Sequence, residues 1–423
     1  MNILIVAIGS LGDVNPFIKI GMALRQRGHD VTLLTNSYFR DSVQNAGLDF
    51  KSVGTIEEYN KMTDEVDLGN PTKTTKAVMK YLYFASMQRI YNTVRELNIP
   101  GETVIVGITM AFGARIAQEK MGIPMVTCHL APVSLPSVSN PARMDGIWMP
   151  HWMPMFYKKV VWRLIDKMAD MFLSPPINEM LGKLDLPAVK RIFRHWIHSP
   201  DKVIGLFPSW FAEPQPDWPN NTELANFIFF DDAGRKPMSP ALEDFICHDK
   251  PTVVFTAGTA VKNAASFFEE SVKACNILNI RGVFLSGYKN HIPNNLPKNI
   301  LYSEYAPFSK LLPVASALVH HGGIGTCAQA LKAGVPQLLT PFGMDQYDNS
   351  ARLSALGVSE EVCMNKYKAS LVAEKLKKLL EDTDIRMSCE KIANTFKNTE
   401  PLSKVCGIIE DQINNSKSKP NTG

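Results

Sequence analysis

Short apolar blocks alternate with helical stretches in both halves of this 423-residue chain, and the alternation leaves few folds open. Ile3–Ile8 reads as a strand, Pro16–Arg27 as a helix with proline in its first turn, and Val31–Thr35 as the next strand. Gly28 suits the position just past a helix end. Val104–Ile108, the helical Ala111–Met121 and Met125–Cys128 repeat the unit. Beyond residue 250 come Thr252–Thr256, Ala264–Leu278 and Gly282–Leu285, then Ala317–His320, Gly325–Ala333 and Gln337–Thr340, again strand, helix, strand. Such units build parallel, doubly wound sheets, so the fold class is α/β with two domains of this kind. The expected N-terminal domain is 1–212 and the C-terminal domain 251–413, with its last helix packing back on the first. Residues 213–250 connect them, since Glu-Pro-Gln-Pro-Asp-Trp-Pro-Asn-Asn-Thr is rich in chain-breaking residues. The polar 414–423 reads as a disordered tail.

Composition removes several function classes. With 45% hydrophobic and 20% charged residues the chain is ordinary globular material. No apolar run approaches the roughly 18 residues of a membrane-spanning helix. The opening Met-Asn-Ile-Leu-Ile-Val-Ala-Ile-Gly lacks a basic flank and reads as a first strand, not a signal peptide. Seven cysteines without a Cys-x-x-Cys spacing argue against a disulfide framework or zinc ribbon and for a reducing cytoplasm. A net charge of +4 gives no case for a nucleic-acid partner. Its distribution is uneven. Residues 143–195 hold nine Lys or Arg against five acids, all six tryptophans lie between Trp148 and Trp218, and seven of nineteen methionines between Met144 and Met180. Within 155–173, Met155, Val160, Leu164, Met168 and Met171 share one side at helical spacing, and basic residues punctuate the other. This is either a core helix with a solvated basic face or a greasy, basic rim for an amphiphilic acceptor, with peripheral contact at the inner face of a membrane.

His320-His321-Gly322-Gly323-Ile324-Gly325-Thr326 lies between an apolar strand and a helix. A glycine-rich turn lets backbone approach a ligand, and the helix behind it aims N–H groups and its positive dipole end at an anion. His321 and Thr326 add side-chain donors suited to a diphosphate; the bland alternative is a tight turn with a buried histidine. Asp345 and Gln346 follow the next strand and so share the carboxyl edge of the sheet, where open α/β sheets bind ligands. A carboxylate beside an amide suits adjacent sugar hydroxyls.

The stretch from His321 to Asn349 closely resembles the donor-binding box of glycosyltransferase family one, whose two-domain architecture is called GT-B. Plant members carry His-Cys-Gly-Trp-Asn-Ser, Gly-Val-Pro and Asp/Glu-Gln-x-x-Asn; this chain has His321-Gly322-Gly323-Ile324-Gly325-Thr326, Gly334-Val335-Pro336 and Asp345-Gln346-Tyr347-Asp348-Asn349. Gly9-Ser10-Leu11-Gly12-Asp13-Val14-Asn15-Pro16 is similar to the N-terminal loop of the branch that holds sterol glucosyltransferases, rhamnolipid rhamnosyltransferases and glycopeptide-antibiotic glycosyltransferases.

The resemblance implies two Rossmann-like domains facing across a cleft. It implies an inverting, metal-independent transfer of a hexosyl group, glucose or rhamnose, from a UDP- or dTDP-sugar to a hydroxyl of a lipophilic acceptor. The sugar nucleotide is a co-substrate, with UDP favoured, and no cofactor is expected. Thr259, His321, Gly323, Gly325 and Thr326 would hold the diphosphate, Tyr305, Phe308 and Gln329 the base and ribose, and Asp345 and Gln346 the sugar. Ser10, His129, Trp148 and Trp152 would border the acceptor. Asp13 stands where plant members place the catalytic histidine, and no Asp occurs in Val104–Ala114 to serve a histidine as partner. A carboxylate base needs none. Asp13 also suits a helix cap, and His129 a core edge. A GT-B sugar-nucleotide epimerase and a non-catalytic lipid- or nucleotide-binding protein are the competing readings.

Overall fold

A computed structural model describes residues 1–423 except 67–69, 145, 148, 151, 231–236, 248–249, 260, 262–263, 398 and 419–423. The chain divides into two compact units.

The first unit comprises Met1–Met62, Lys76–Ile228 and Glu400–Gly423. Its sheet contains β1 (Asn2–Val6), β2 (Asp30–Asn36), β3 (Asp49–Gly54), β4 (Thr103–Ile108), β5 (Met125–His129), β6 (Lys202–Gly205) and β7 (Thr222–Leu224). They lie in the order β3-β2-β1-β4-β5-β6-β7, with every pairing parallel. Parallel strands are covered on both faces, which is why β1 and β4 are unbroken apolar runs. Ile3, Leu4, Ile5 and Val6 are wholly buried, and Ile3 sits between Val31 and Val104.

The second unit comprises Thr63–Thr75 and Phe229–Thr399. Its strands are β8 (Thr252–Thr256), β9 (Arg281–Leu285), β10 (Ile300–Ser303), β11 (Ala317–His320), β12 (Gln337–Leu339) and β13 (Ser359–Glu361). Their order is β10-β9-β8-β11-β12-β13, again all parallel. Val254, Val283, Leu311, Leu312 and Leu318 form its core with Leu242 and Ala330.

Several expectations are corrected. The first helix begins at Leu11, not Pro16, because Ser10 and Asp13 cap a start upstream and the proline is carried inside the helix. The stretch 213–250 is not a plain connection: β7 pairs with β6, and Pro240–Ile246 is a helix whose Leu242 enters the second core. The division falls between Ile228 and Phe229. The second unit ends at Thr399, short of residue 413, while the helix Pro401–Ser418 belongs to the first unit, in line with the expectation for the last helix. There Glu410 accepts hydrogen bonds from Arg27 Nη2 at 2.6 Å and Nε at 2.8 Å, and lies 2.7 Å from His29 Nε2. The Arg27 guanidinium holds the Glu410 carboxyl down to about 2. The helix runs through Ser418, past the Asn414 start expected for a tail; 419–423 lie outside the described residues.

Candidate active site

In each sheet the strand order reverses at one point, β1/β4 in the first and β8/β11 in the second. Carboxyl ends of strands flanking such a reversal are the preferred ligand site of open α/β sheets.

In the second unit two adjacent histidines end β11 and do different work. His320 is wholly buried: its Nδ1 accepts the Gly322 N–H at 3.2 Å, so its Nε2 donates to Gln337 Oε1 at 3.0 Å. Burial pushes this imidazole down to about 3, and it serves to pin the glycine turn. His321 leans on the loop after β8. A β-carbon on Gly258 would stand 2.8 Å from its Cε1, and Gly258 also has φ of +99°, so glycine is required there. His321 Nδ1 is buried without a hydrogen-bond partner, and burial brings the ring down to about 4. The side chain is therefore a neutral donor at pH 7. Gly323 is the N-cap of the helix Ile324–Ala333, whose first internal bond runs from Cys327 N to Gly323 O. The N–H groups of Ile324, Gly325 and Thr326 are thus free of intrahelical partners. Thr259 is exposed just past β8.

The loop after β12 meets the same turn. Asn349 Nδ2 donates to Gly322 O at 2.9 Å and to Asp345 Oδ2 at 2.7 Å, fastening the carboxylate to the glycine turn. Asn349 is wholly buried, and its Oδ1 has no partner. Gln346 Oε1 accepts from the N–H groups of Phe342 and Gly343 at 2.9 and 3.2 Å. Its carbonyl is spent within its own turn, and only its amide nitrogen has hydrogens left to give. Tyr305 is half-buried beyond the carboxyl end of β10, and the half-buried Phe308 packs against the core cluster. Gln329 lies one turn past Thr326 on the same helix.

In the first unit Asp13 sits in the first turn of Leu11–Gln26. Its Oδ2 accepts from Ser10 N at 2.7 Å and Ser10 Oγ at 3.0 Å. Gly9, at φ +146°, makes room: a β-carbon there would lie 2.3 Å from Oδ2. Ser10, not Asp13, is the N-cap residue. Burial raises the Asp13 pKa, opposed by the Ser10 hydrogen bonds, so the carboxylate is a better base than a free one. Ser10 spends both donors on Asp13 and orients it instead of lining a pocket.

The acceptor-pocket expectation for His129 fails. His129 is wholly buried at the end of β5, with Nδ1 2.9 Å from Thr109 Oγ1 and Nε2 2.9 Å from His198 Nδ1. Burial, then the neighbouring His198, hold it well below the usual histidine range. It is a core-edge residue that fixes Thr109. Trp152 is 75% exposed. Trp148 lies outside the described residues.

Two family models match this chain. Residues 3–139 match the glycosyltransferase family 28 N-terminal domain, and residues 284–410 the erythromycin biosynthesis protein CIII-like C-terminal domain. The chain is a GT-B glycosyltransferase. It is 26% identical over 421 residues to the O-mycaminosyltylonolide 6-deoxyallosyltransferase of Streptomyces fradiae, covering 97% of each protein. It is 24% identical to a sterol 3-beta-glucosyltransferase of Candida albicans, covering 99% of this chain but 28% of that one. The glycotransferase of kitacinnamycin shares the fold with a TM-score of 0.73 at 17% identity, over 97% of this chain and 99% of that one. The sequence motif includes Asn349 but assigns it no role; the structure shows it fastening Asp345 to the glycine turn. The i+4 spacing of Asp345 and Asn349 was the signal that could have predicted this bond.

Proposed function

We propose that this glycosyltransferase moves a hexosyl group from a UDP- or dTDP-sugar to a hydroxyl of a lipophilic acceptor, with inversion and with Asp13 as base. The observation that carries the reading is the turn after β11, where a buried, unpaired His321 nitrogen stands beside a helix N-terminus with three unspent N–H groups. This is the equipment for a diphosphate. As the acceptor oxygen attacks the anomeric carbon, its proton passes to Asp13 and the bond from that carbon to the diphosphate oxygen breaks. The charge released onto the diphosphate is met by His321, Thr326, Thr259 and the helix dipole; one such preorganised donor is worth roughly 3–4 kcal/mol of barrier. Asp345, held by Asn349, receives sugar hydroxyls, with the Gln346 amide N–H beside it. Inversion follows from the family resemblance, and the acceptor class from the names of the macrolide- and sterol-directed relatives.

The test is a donor screen with UDP-glucose, UDP-galactose and dTDP-rhamnose, read by thermal shift and by product analysis with and without a sterol or macrolide aglycone. A donor that raises the melting temperature and is consumed faster with acceptor supports the transfer. Conversion of the donor to its sugar epimer without acceptor would replace it with the epimerase reading.

A further inference from the structure

The 29-residue helix Met155–Lys183 turns Trp162, Leu173, Ile177, Met180 and Leu181 inward. Its N-terminal half sends a second apolar row outward. Tyr157, Leu164, Met168 and Met171 are 57–72% exposed, and Val160 completes the row. Their i, i+3, i+4 spacing puts them on one stripe roughly 20 Å long at 1.5 Å per residue. Single exposed apolar side chains are ordinary; a continuous row marks an interaction surface.

Lys159, Arg163 and Lys167 each precede a member of that row by one residue and make a parallel basic stripe. With Lys190, Arg191 and Arg194 they line a cavity of about 970 Å³. The three carboxylates at its wall are occupied. Asp166 pairs with Arg194 at 3.4 Å, Asp170 accepts the N–H groups of Arg191 and Ile192 at 2.7 and 2.9 Å, and Asp217 accepts from Ser137 Oγ and Val138 N at 2.6 Å each. Among the described residues, Lys159, Arg163, Lys167 and Lys190 have no ion-pair partner. The cavity is left positive beside an exposed apolar row.

We propose that this face docks on an anionic membrane surface, the apolar row entering the acyl boundary and the basic cavity receiving lipid phosphates. Apolar residues flanked by Lys and Arg are the pattern of helices that lie in the interface plane. Among the described residues no helix is long and apolar enough to cross a membrane, so this contact is peripheral. A second copy of the chain is a poorer occupant, because two such faces would set basic rows against each other. The docking face stands independently of the transfer reaction, and its failure leaves that reading intact.

The experiment is co-sedimentation of the full chain with phosphatidylcholine vesicles, with and without phosphatidylglycerol, at low and high salt. The wild type should bind the anionic vesicles at low salt and release at high salt. Lys159→Gln/Arg163→Gln/Lys167→Gln should bind about 100-fold more weakly. Leu164→Asp/Met168→Asp should also lose binding, with both variants keeping the wild-type melting temperature and donor-induced thermal shift. No vesicle binding by the wild type, equal binding to neutral vesicles, or variants that bind as the wild type does would each overturn the proposal. A wild-type dimer in sedimentation analysis that Leu164→Asp/Met168→Asp makes monomeric would overturn it in favour of a second copy.

Discussion

At the edge of the first sheet, Asp13 Oδ2 already accepts two bonds from Ser10, and both nitrogens of His129 are engaged. At the edge of the second, His321 Nδ1 and Asn349 Oδ1 are buried without partners and three helix N–H groups have none in the helix. The strand plan is the same: parallel strands, one reversal, loops at the carboxyl ends. What differs is how far the polar groups are spent. A carboxylate that must take a proton gains from fixed orientation and burial, which raises its pKa. The proposed diphosphate site would keep donors in reserve, the His321 ring and the three helix N–H groups, although each buried unpaired group costs about 1–3 kcal/mol; the Asn349 Oδ1 is an acceptor and adds none. One edge has these polar groups paired; the other keeps several unpaired.

Asp13→Asn breaks the first half of this contrast. Turnover should fall by about 100-fold or more, while donor affinity, read by calorimetry, stays near wild type. Near-normal turnover would reduce Asp13 to a helix-capping residue. His321→Ala addresses the second half: kcat/KM should fall roughly 100-fold, with weaker nucleoside-diphosphate binding as well as slower chemistry. A loss confined to the acceptor KM would remove His321 from the diphosphate site. Asp345→Ala should weaken sugar-nucleotide binding about 10-fold and leave the free nucleoside diphosphate within twofold. Equal losses for both ligands would move Asp345 away from the sugar.

The smallest effect concerns protons. Burial brings His198 and His321 to about 4 and His320 to about 3, against 6.5 for the ordinary imidazole. The unfolded chain therefore binds protons that the folded chain refuses between pH 6.5 and about 4, so stability falls as pH drops through that window. Thermal melts at pH 7, 6 and 5 should show the decline, and His198→Gln should flatten it in part. An unchanged slope in that variant would mean that His198 is not buried neutral.

Much of the fold was legible because buried parallel strands are written as unbroken apolar runs. Thr252–Thr256 and Ala317–His320 were read to the residue. The polar edge strand Thr222–Leu224 was not, since it is half-buried throughout and set among prolines and asparagines. Helical spacing located the apolar side of Met155–Lys183 but could not say whether it faces in or out; only neighbouring elements decide that. The His321 and Asp345 loops were placed by the strands before them. The expectation that failed, His129 in the acceptor pocket, depends on Thr109 and His198, which reach the side chain from positions distant in sequence.

The helix Pro401–Ser418 gives the architecture a temporal consequence. The first unit is made in separate parts, the last two ending at Ile228 and starting at Glu400, and the 171 residues Phe229–Thr399 are made between those two. At about 5–20 residues per second that interval lasts roughly 10–30 s. During it the earliest-made part of the enzyme waits without its Glu410 anchor, while the later-made unit already has every strand of its sheet. Synthesis order and completion order are inverted, so a released chain truncated after Thr399 should display a finished second unit beside a protease-sensitive first one.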